Sequence, residues 1–312
     1  MELIRGIHNI QSHHHGCVLT IGNFDGVHLG HQAVLKQVAE QSKALNLPSV
    51  VMTFEPQPLE RFAKDKAPAR LTRLRDKLVQ LNKLSLDRLL CVNFTAEFAH
   101  IEAQAFIRDL LVERLGVKFL VVGDDFCFGR RRQGDFELLK AAGEQYGFEV
   151  VSTQSFCLQT ARVSSTLIRQ ALAADKFAEA AVMLGREYSI QGRVSHGRKL
   201  GRTIGFPTAN IPLKRCVSPV SGVYVVEVKG VDGHATFGGV ANIGHRPTVN
   251  GSRQQLEVHL FDYRGNLYGQ QLEVVLKHKL RNEEKFASFE ALKQQIELDA
   301  EAARVWLLQS KR

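Results

Sequence analysis

Leu19-Thr20-Ile21-Gly22-Asn23-Phe24-Asp25-Gly26-Val27-His28-Leu29-Gly30-His31 is the stretch whose reading decides the fold of this chain. Its apolar start, with Val18 before it, has the composition of a short buried strand, and Gly22 and Gly26 relax backbone constraints in the polar loop that follows. His28 and His31 stand three residues apart where a helix can begin, a spacing that puts both imidazoles on one helical face. The free N–H groups and the dipole of a helix start favour an anion, so the pair points to phosphate more than to metal. Zinc needs further ligands at a recognisable spacing, and the neighbouring residues supply none.

Working outward, Ala33, Val34, Leu35 and Val38 keep helical spacing to about Asn46, with Pro48 marking the end. Strands then read at Ser49 to Phe54, Leu89 to Phe94, Phe119 to Gly123 and Phe148 to Ser152, and helices at Arg73 to Leu84 and Glu102 to Leu115. That alternation describes a doubly wound α/β domain with a parallel sheet. Ligands of such sheets collect beyond the C-terminal strand ends, where Gly22 to Asp25, Phe54 to Pro58 and Gly123 to Gly129 all fall. The segment from Phe54 to Leu71 reads equally as a loop over the site and as a plain surface connection. Val121 to Gly129 is more telling, because a buried strand ends in Asp124, Asp125, Phe126 and Phe128 rather than in turn residues, although core packing is the default for an aromatic. Arg130, Arg131 and Arg132 read as a solvated basic face. Ser164 or Ser165 suits an N-cap, with Arg169 one turn inside the helix.

The 312 residues exceed one comfortable core, so two domains are expected. Ala171 to Leu184 reads as helix and Gly185-Arg186-Glu187 breaks it, which sets the domains at 1–185 and 186–312. Beyond that point Tyr188 to Val194, Gly222 to Val228, Leu256 to Phe261 and Gln271 to Leu276 are short alternating stretches, the pattern of an antiparallel barrel or sandwich. Phe289, Leu292, Ile296, Ala300, Ala303 and Leu307 keep the spacing of a C-terminal amphipathic helix that packs on it.

A net charge of +9 suits nucleotides and equally suits nucleic acid. No aromatic-interleaved basic patch stands out, so nucleic acid is not the expected partner. Five scattered cysteines without a Cys-x-x-Cys pair read as reduced thiols, and no apolar run approaches the ~18 residues of a membrane span, so a cytoplasmic protein is expected. His13, His14 and His15 read as exposed loop, with metal capture as the alternative. Oligomeric state stays open, a homo-oligomer included.

In the second half, glycines flank the cations of Gly197-Arg198-Lys199-Leu200-Gly201-Arg202, an arrangement that lets backbone amides approach phosphate. Pro207-Thr208-Ala209-Asn210 supplies two hard oxygen ligands suited to magnesium. Either segment could equally be an ordinary turn. Alternation places Glu257 and His259 on one face of a strand.

These residues carry a resemblance. Gly22, Asn23, Phe24, Asp25, Gly26, His28, Gly30 and His31 resemble the GxFDGxHxGH signature of the nucleotidyltransferase module of bacterial FAD synthetases. Gly123 to Gly129 resembles their GxDFxFG segment, Ser164 to Arg169 their SSTxIR segment, and Gly201 to Asn210 the GRxxGxPTxN signature of riboflavin kinases. Leu256 to Tyr263 resembles the EvHLFDF segment of those kinases, with Tyr263 in place of the last phenylalanine. Asn242-Ile243-Gly244 and Arg281 to Phe286 are also similar to family segments. The chain is thereby identified as a member of the bacterial bifunctional riboflavin kinase and FAD synthetase family.

The resemblance implies ATP-dependent phosphorylation of riboflavin to FMN in the barrel, then adenylylation of FMN to FAD with release of pyrophosphate in the α/β domain. It implies Glu257 as catalytic base and His28, His31 and Arg169 as catalytic groups acting on ATP. Nucleotide binding is implied for Gly22, Asn23, Phe24, Asp25, Gly26, Ser164, Ser165, Thr166, Gly197, Lys199, Gly201, Thr208, Asn210 and Asn242. Flavin contact is implied for Phe54, Asp125, Phe128, Arg281 and Glu284, and magnesium for Thr208 and Asn210. The competing expectations are an adenylyltransferase for another phosphorylated substrate and a nucleic-acid-binding regulator.

Overall fold

The computed structural model describes residues 1–63, 66–153, 163–196, 205–215, 217–233, 235–248 and 251–310. By packing, the chain divides into two compact units: residues 1–68 with 74–164, and residues 69–73 with 165–312. Gly197, Lys199 and Gly201 lie outside the described residues, as do Cys157 and Cys216.

The first unit is built on six parallel strands, β1 (Glu2–Arg5), β2 (Cys17–Ile21), β3 (Ser49–Glu55), β4 (Arg88–Asn93), β5 (Val117–Val122) and β6 (Glu149–Ser152), in the order β1-β4-β3-β2-β5-β6. All five residues of β2 are buried, as a strand covered on both faces requires. The chain steps outward from β2 through β3 to β4, then returns to β5 on the other side of β2. The order therefore reverses between β2 and β5, and a crevice opens beyond their C-terminal ends. Helices α1 (Leu29–Ala44), α2 (Pro58–Ala63) and α3 (Leu74–Leu81) follow β2 and β3.

Some expectations shift. Ala103–Ala105 runs into π-helical Phe106–Arg114 rather than an uninterrupted α-helix, and α2 occupies the segment read as loop or connection. The edge strand β1 was not foreseen, being four residues long with one buried. It also corrects the reading of the histidine run. His14 is buried, its Nδ1 accepting the Gln11 N–H at 2.9 Å and its Nε2 lying 3.0 Å from Glu2 Oε1. Glu2, His13 and His14 converge as metal ligands would. An imidazole that accepts at Nδ1 holds its proton at Nε2, however, and donates it to Glu2, so no lone pair remains for an ion.

The second unit contains β7 (Ser189–Arg193), β8 (Ala209–Pro212), β9 (Gly222–Val231), β10 (Ala235–Thr248), β11 (Gly251–Leu260) and β12 (Gln271–Arg281), in the order β7-β12-β9-β10-β11-β8. The Ser195–Asn210 bridge, with Ser195 N–H donating to the Asn210 carbonyl at 2.8 Å, nearly closes this antiparallel sheet into a barrel. Leu256, Val258 and Leu260 alternate inward, which turns Glu257 and His259 to the other face. Over part of that outer face the C-terminal helix Phe289–Gln309 packs Ala300, Ala303 and Leu307 against Val223, Val225, Val240 and Phe261, while Phe289 is exposed. The helical stretch read from Ala171 to Leu184 is two helices, Ser165–Ala173 and Phe177–Leu184.

Candidate functional site

The β2 loop is held by groups that compensate its own strain. Phe24 and Val27 lie at φ 46° and 43°, in the left-handed region that costs a residue with a Cβ ~1 to 2 kcal/mol. Burial of both side chains and three polar tethers offset that cost. Gln32 Nε2 donates to the Val27 carbonyl at 2.9 Å, Thr53 Oγ1 donates to the Asn23 carbonyl at 3.3 Å, and Lys77 Nζ donates to the same carbonyl at 2.5 Å. Lys77 is 1% exposed and also lies 3.1 Å from Thr53 Oγ1, so a buried ammonium fixes the loop from behind.

His28 proves to be the N-cap of α1 rather than a residue within it. Its Nδ1 accepts the His31 N–H at 3.2 Å, and the two rings stack at 3.6 Å between centroids. The capping bond leaves the proton of a neutral His28 on Nε2. Space at Gly30 is tight: a Cβ would lie 3.2 Å from the His28 ring and 3.3 Å from the Val163 carbonyl, so a side chain there would have to push one of them aside by a few tenths of an ångström.

These residues line a cleft of about 1240 Å³. Gly22, Asn23, Phe24, His28, Gly30 and His31 form one part of its lining, and Phe54, Asp125 and Phe128 another. Asp25, by contrast, is 2% exposed and absent from the described lining, as is Gly26. Gly123 admits the Asp125 carboxylate, since a Cβ there would fall 2.8 Å from Asp125 Oδ1. Phe126 and Phe128 lie nearly parallel at 5.6 Å, and Phe62, Phe94, Phe54 and Phe98 meet at 5.6–6.1 Å. Such a wall suits a large planar ligand.

Sequence reasoning missed Phe62, Phe94, Phe98, Phe106, Lys77, Arg131 and Arg132. The signal for Phe94 was present: like Phe54 it stands at the C-terminal end of a parallel strand. Arg131 and Arg132 correct the reading of a plain solvated face, because both line the cleft.

In the second unit, register assembles the site. Glu257 lies opposite Asn242 of β10 and Asn210 of β8, which makes one row across three strands. Gln255 donates to Asn210 Oδ1, and Asn210 Nδ2 donates to the Thr208 carbonyl at 3.2 Å. His259 Nδ1 lies 2.9 Å from the Pro207 carbonyl, and its ring meets Phe206 edge-on at 5.1 Å. Asn242 Nδ2 lies 3.3 Å from Glu283 Oε1, so Glu283 rather than Glu284 touches the row. Arg281 is committed to Asp299 through Nε and Nη2 at 2.8–3.1 Å, a fork that ties β12 to the C-terminal helix. Ser164 closes the first unit, and Ser165, Thr166 and Arg169 belong to the second, where Arg169 Nε donates to the Ala69 carbonyl at 2.5 Å.

A histidine- and arginine-lined cleft at the switch point of a parallel sheet stands in one chain with a barrel that sets a carboxylate among amides. Family models match twice, FAD synthetase over residues 10–167 and riboflavin kinase over residues 184–307. The bifunctional riboflavin kinase/FMN adenylyltransferase of Escherichia coli (strain K12) is 60% identical over 97% of each chain, and that of Haemophilus influenzae is 55% identical over 98% of this chain and 99% of its own. A crystal structure described as a macrolide-efflux protein from Streptococcus pneumoniae matches with a TM-score of 0.74 and 29% identity, covering 97% of this chain and 99% of that one. Among the described residues no helix is long and apolar enough to cross a membrane. The chain belongs to the family of bifunctional riboflavin kinase/FMN adenylyltransferases.

Proposed function

We propose that the chain converts riboflavin to FMN and FMN to FAD at two sites, with a functional division at residues 1–185 and 186–312. One observation supports this above the rest: the polar groups fall into two sets, the stacked His28 and His31 above an aromatic cleft in one unit and the Glu257 row in the other.

In the kinase step Glu257 takes the proton of the ribityl hydroxyl as that oxygen attacks the γ-phosphorus of ATP, and ADP leaves. General-base help of this kind contributes about 10²- to 10⁴-fold. Asn210 stands opposite Glu257, and with Thr208, whose carbonyl it bonds, it offers oxygen donors whose chemistry fits Mg²⁺. When bound, the ion neutralises charge on the phosphates. Asn242 is assigned to the nucleotide, Arg281 and Glu284 to the flavin, and Gly197, Lys199 and Gly201 to the ATP phosphates on the family resemblance.

In the second step the phosphate of FMN attacks the α-phosphorus of ATP and pyrophosphate leaves. The nucleophile is already an anion, so the protein's tasks are positioning and charge stabilisation. His28 and His31 donate to the phosphates of ATP. The β2 loop, from Gly22 to Gly26, receives the nucleotide, with Asp25 supporting the loop from its buried position. Ser164, Ser165, Thr166 and Arg169 are assigned to the triphosphate on the resemblance, and Phe54, Asp125 and Phe128 to FMN. A cytoplasmic location belongs to this reading, supported by Cys17 and Cys127, which form no disulfide among the described residues.

Incubation with riboflavin, ATP and magnesium, followed by chromatographic separation of the flavins, tests the reading. FMN followed by FAD is expected. Unchanged riboflavin together with adenylylation of a different phosphorylated compound, or with salt-sensitive binding of RNA or DNA, contradicts it.

A further inference from the structure

We propose that Arg131 and Arg132 grip the phosphate of FMN during adenylyl transfer, an assignment that rests on the placement of FMN beside Asp125 and Phe128 made above. The three arginines of this turn are not equivalent. Arg130 is paired, its Nη1 lying 3.0 Å from Glu102 Oε1. Arg131 and Arg132 are exposed and line the cleft, and neither guanidinium has a hydrogen bond or ion pair among the described residues. Two unpaired cations thus border a cleft whose described lining contains one carboxylate, Asp125.

The backbone holds them there at a cost. Arg131 and Arg132 lie at φ 54° and 59°, a conformation unfavourable for any residue with a Cβ. The turn is closed by Phe128 and Gly134, which exchange backbone hydrogen bonds at 3.0 and 2.9 Å, and Gly134 is required because a Cβ would meet the Phe128 ring at 2.5 Å. Arg132 N–H also donates to the Gly129 carbonyl at 3.0 Å. The bridge that fixes the Phe128 ring therefore fixes the arginines, so one hairpin presents an aromatic face and two guanidinium forks. FMN, the ligand placed beside Phe128 above, carries its phosphate on the chain that leaves its flat ring. Its phosphate must approach the polyphosphate of ATP, and two forks on that phosphate reduce the repulsion between the anions while aiming the attacking oxygen.

The test is the kinetics of FAD formation from FMN and ATP by the full chain, with lumiflavin, which has the ring but neither ribityl chain nor phosphate, as competitor against FMN. For R131M/R132M the KM for FMN is expected to rise about 10- to 100-fold. The KM for ATP and the Ki of lumiflavin should stay unchanged. R131K/R132K should recover part of the loss. R131G should weaken FMN with a Tm equal to or above that of the parent, because glycine relieves the left-handed backbone. An unchanged KM for FMN overturns the inference, and so does a rise confined to ATP or a lumiflavin Ki that weakens in step with FMN. F128A separates the underlying reading: it should weaken lumiflavin and FMN together. If it leaves both unchanged, the flavin placement fails and takes the inference with it.

Discussion

The two units build their polar sites by opposite means. In the first, the groups sit on loops after β2 and β5, in backbone conformations that are costly and therefore need support: Phe24, Val27, Arg131 and Arg132 all have positive φ. In the second, Asn210, Glu257 and Asn242 sit on regular strands and are brought together by register alone. A loop site can place cations and imidazoles around large anions, but it depends on what holds the loop. A strand row needs no special support, because the pairing that makes the barrel also makes the site. The first unit should therefore lose activity through supporting residues as well as through those that touch substrate, and the second chiefly through the residues that do.

The largest expected effect tests the second unit. Glu257→Gln keeps size and register but removes the base, and riboflavin phosphorylation should fall by about 10²- to 10⁴-fold. FAD formation from supplied FMN should continue at the parental rate. Next, His28→Ala should lower FAD formation by about 10²- to 10³-fold, the loss typical of one donor to a developing anion, while FMN formation persists. Chromatography of flavins reads both. If either substitution abolished both activities in a folded protein, the division into two sites would break.

Lys77→Met sharpens the contrast in support. It removes the ammonium behind Asn23, leaving that carbonyl, among the described residues, only the 3.3 Å bond from Thr53, and should destabilise the first unit by about 1.5–3 kcal/mol, the worth of a hydrogen bond from a charged donor. Thermal unfolding measures that loss, and FAD formation should fall while riboflavin phosphorylation does not. The smallest effect concerns the edge of the first sheet. Hydrogen bonding from His14 holds the Glu2 carboxyl below its ordinary value of 4.5, opposed by partial desolvation and helped by the charge of Arg88. A lowered folded-state value stabilises the protein fully above pH 4.5 and loses that contribution as pH falls through the lower value. Because the Glu2 side chain is 46% exposed, the contribution is below about 1 kcal/mol. The Tm advantage of the parent over Glu2→Gln should be present at pH 6 and shrink as the pH is lowered below 4.5.

Much of the first unit was legible because a parallel sheet writes itself locally. Apolar runs such as Val18 to Ile21 and the polar loops after them state both the strand and its ligand end. What stayed hidden there depends on contacts distant in sequence. Lys77 sits on an ordinary helix, 54 residues from the carbonyl it holds, and nothing in its neighbours marks it as buried. The triple arginine looked like solvated charge because its division into one paired and two unpaired side chains depends on Glu102. His14 was read as exposed for the same reason, since its partner is Glu2 on an edge strand. In the barrel, β10 went unread because Gly238, Gly239 and Gly244 interrupt its alternation, yet it supplies Asn242. Glu257 was legible only through its resemblance to a known segment, since an acid on a strand ordinarily faces water.

Mixing the two single-site variants tests the central claim most directly. His28→Ala protein should stop at FMN when given riboflavin and ATP, and Glu257→Gln protein should leave riboflavin unchanged but convert supplied FMN. Combined in one tube with riboflavin, ATP and magnesium, they should yield FAD, as FMN released by the first is adenylylated by the second. A mixture that makes no FAD, although the Glu257→Gln protein alone converts supplied FMN, would contradict two sites linked by a released intermediate.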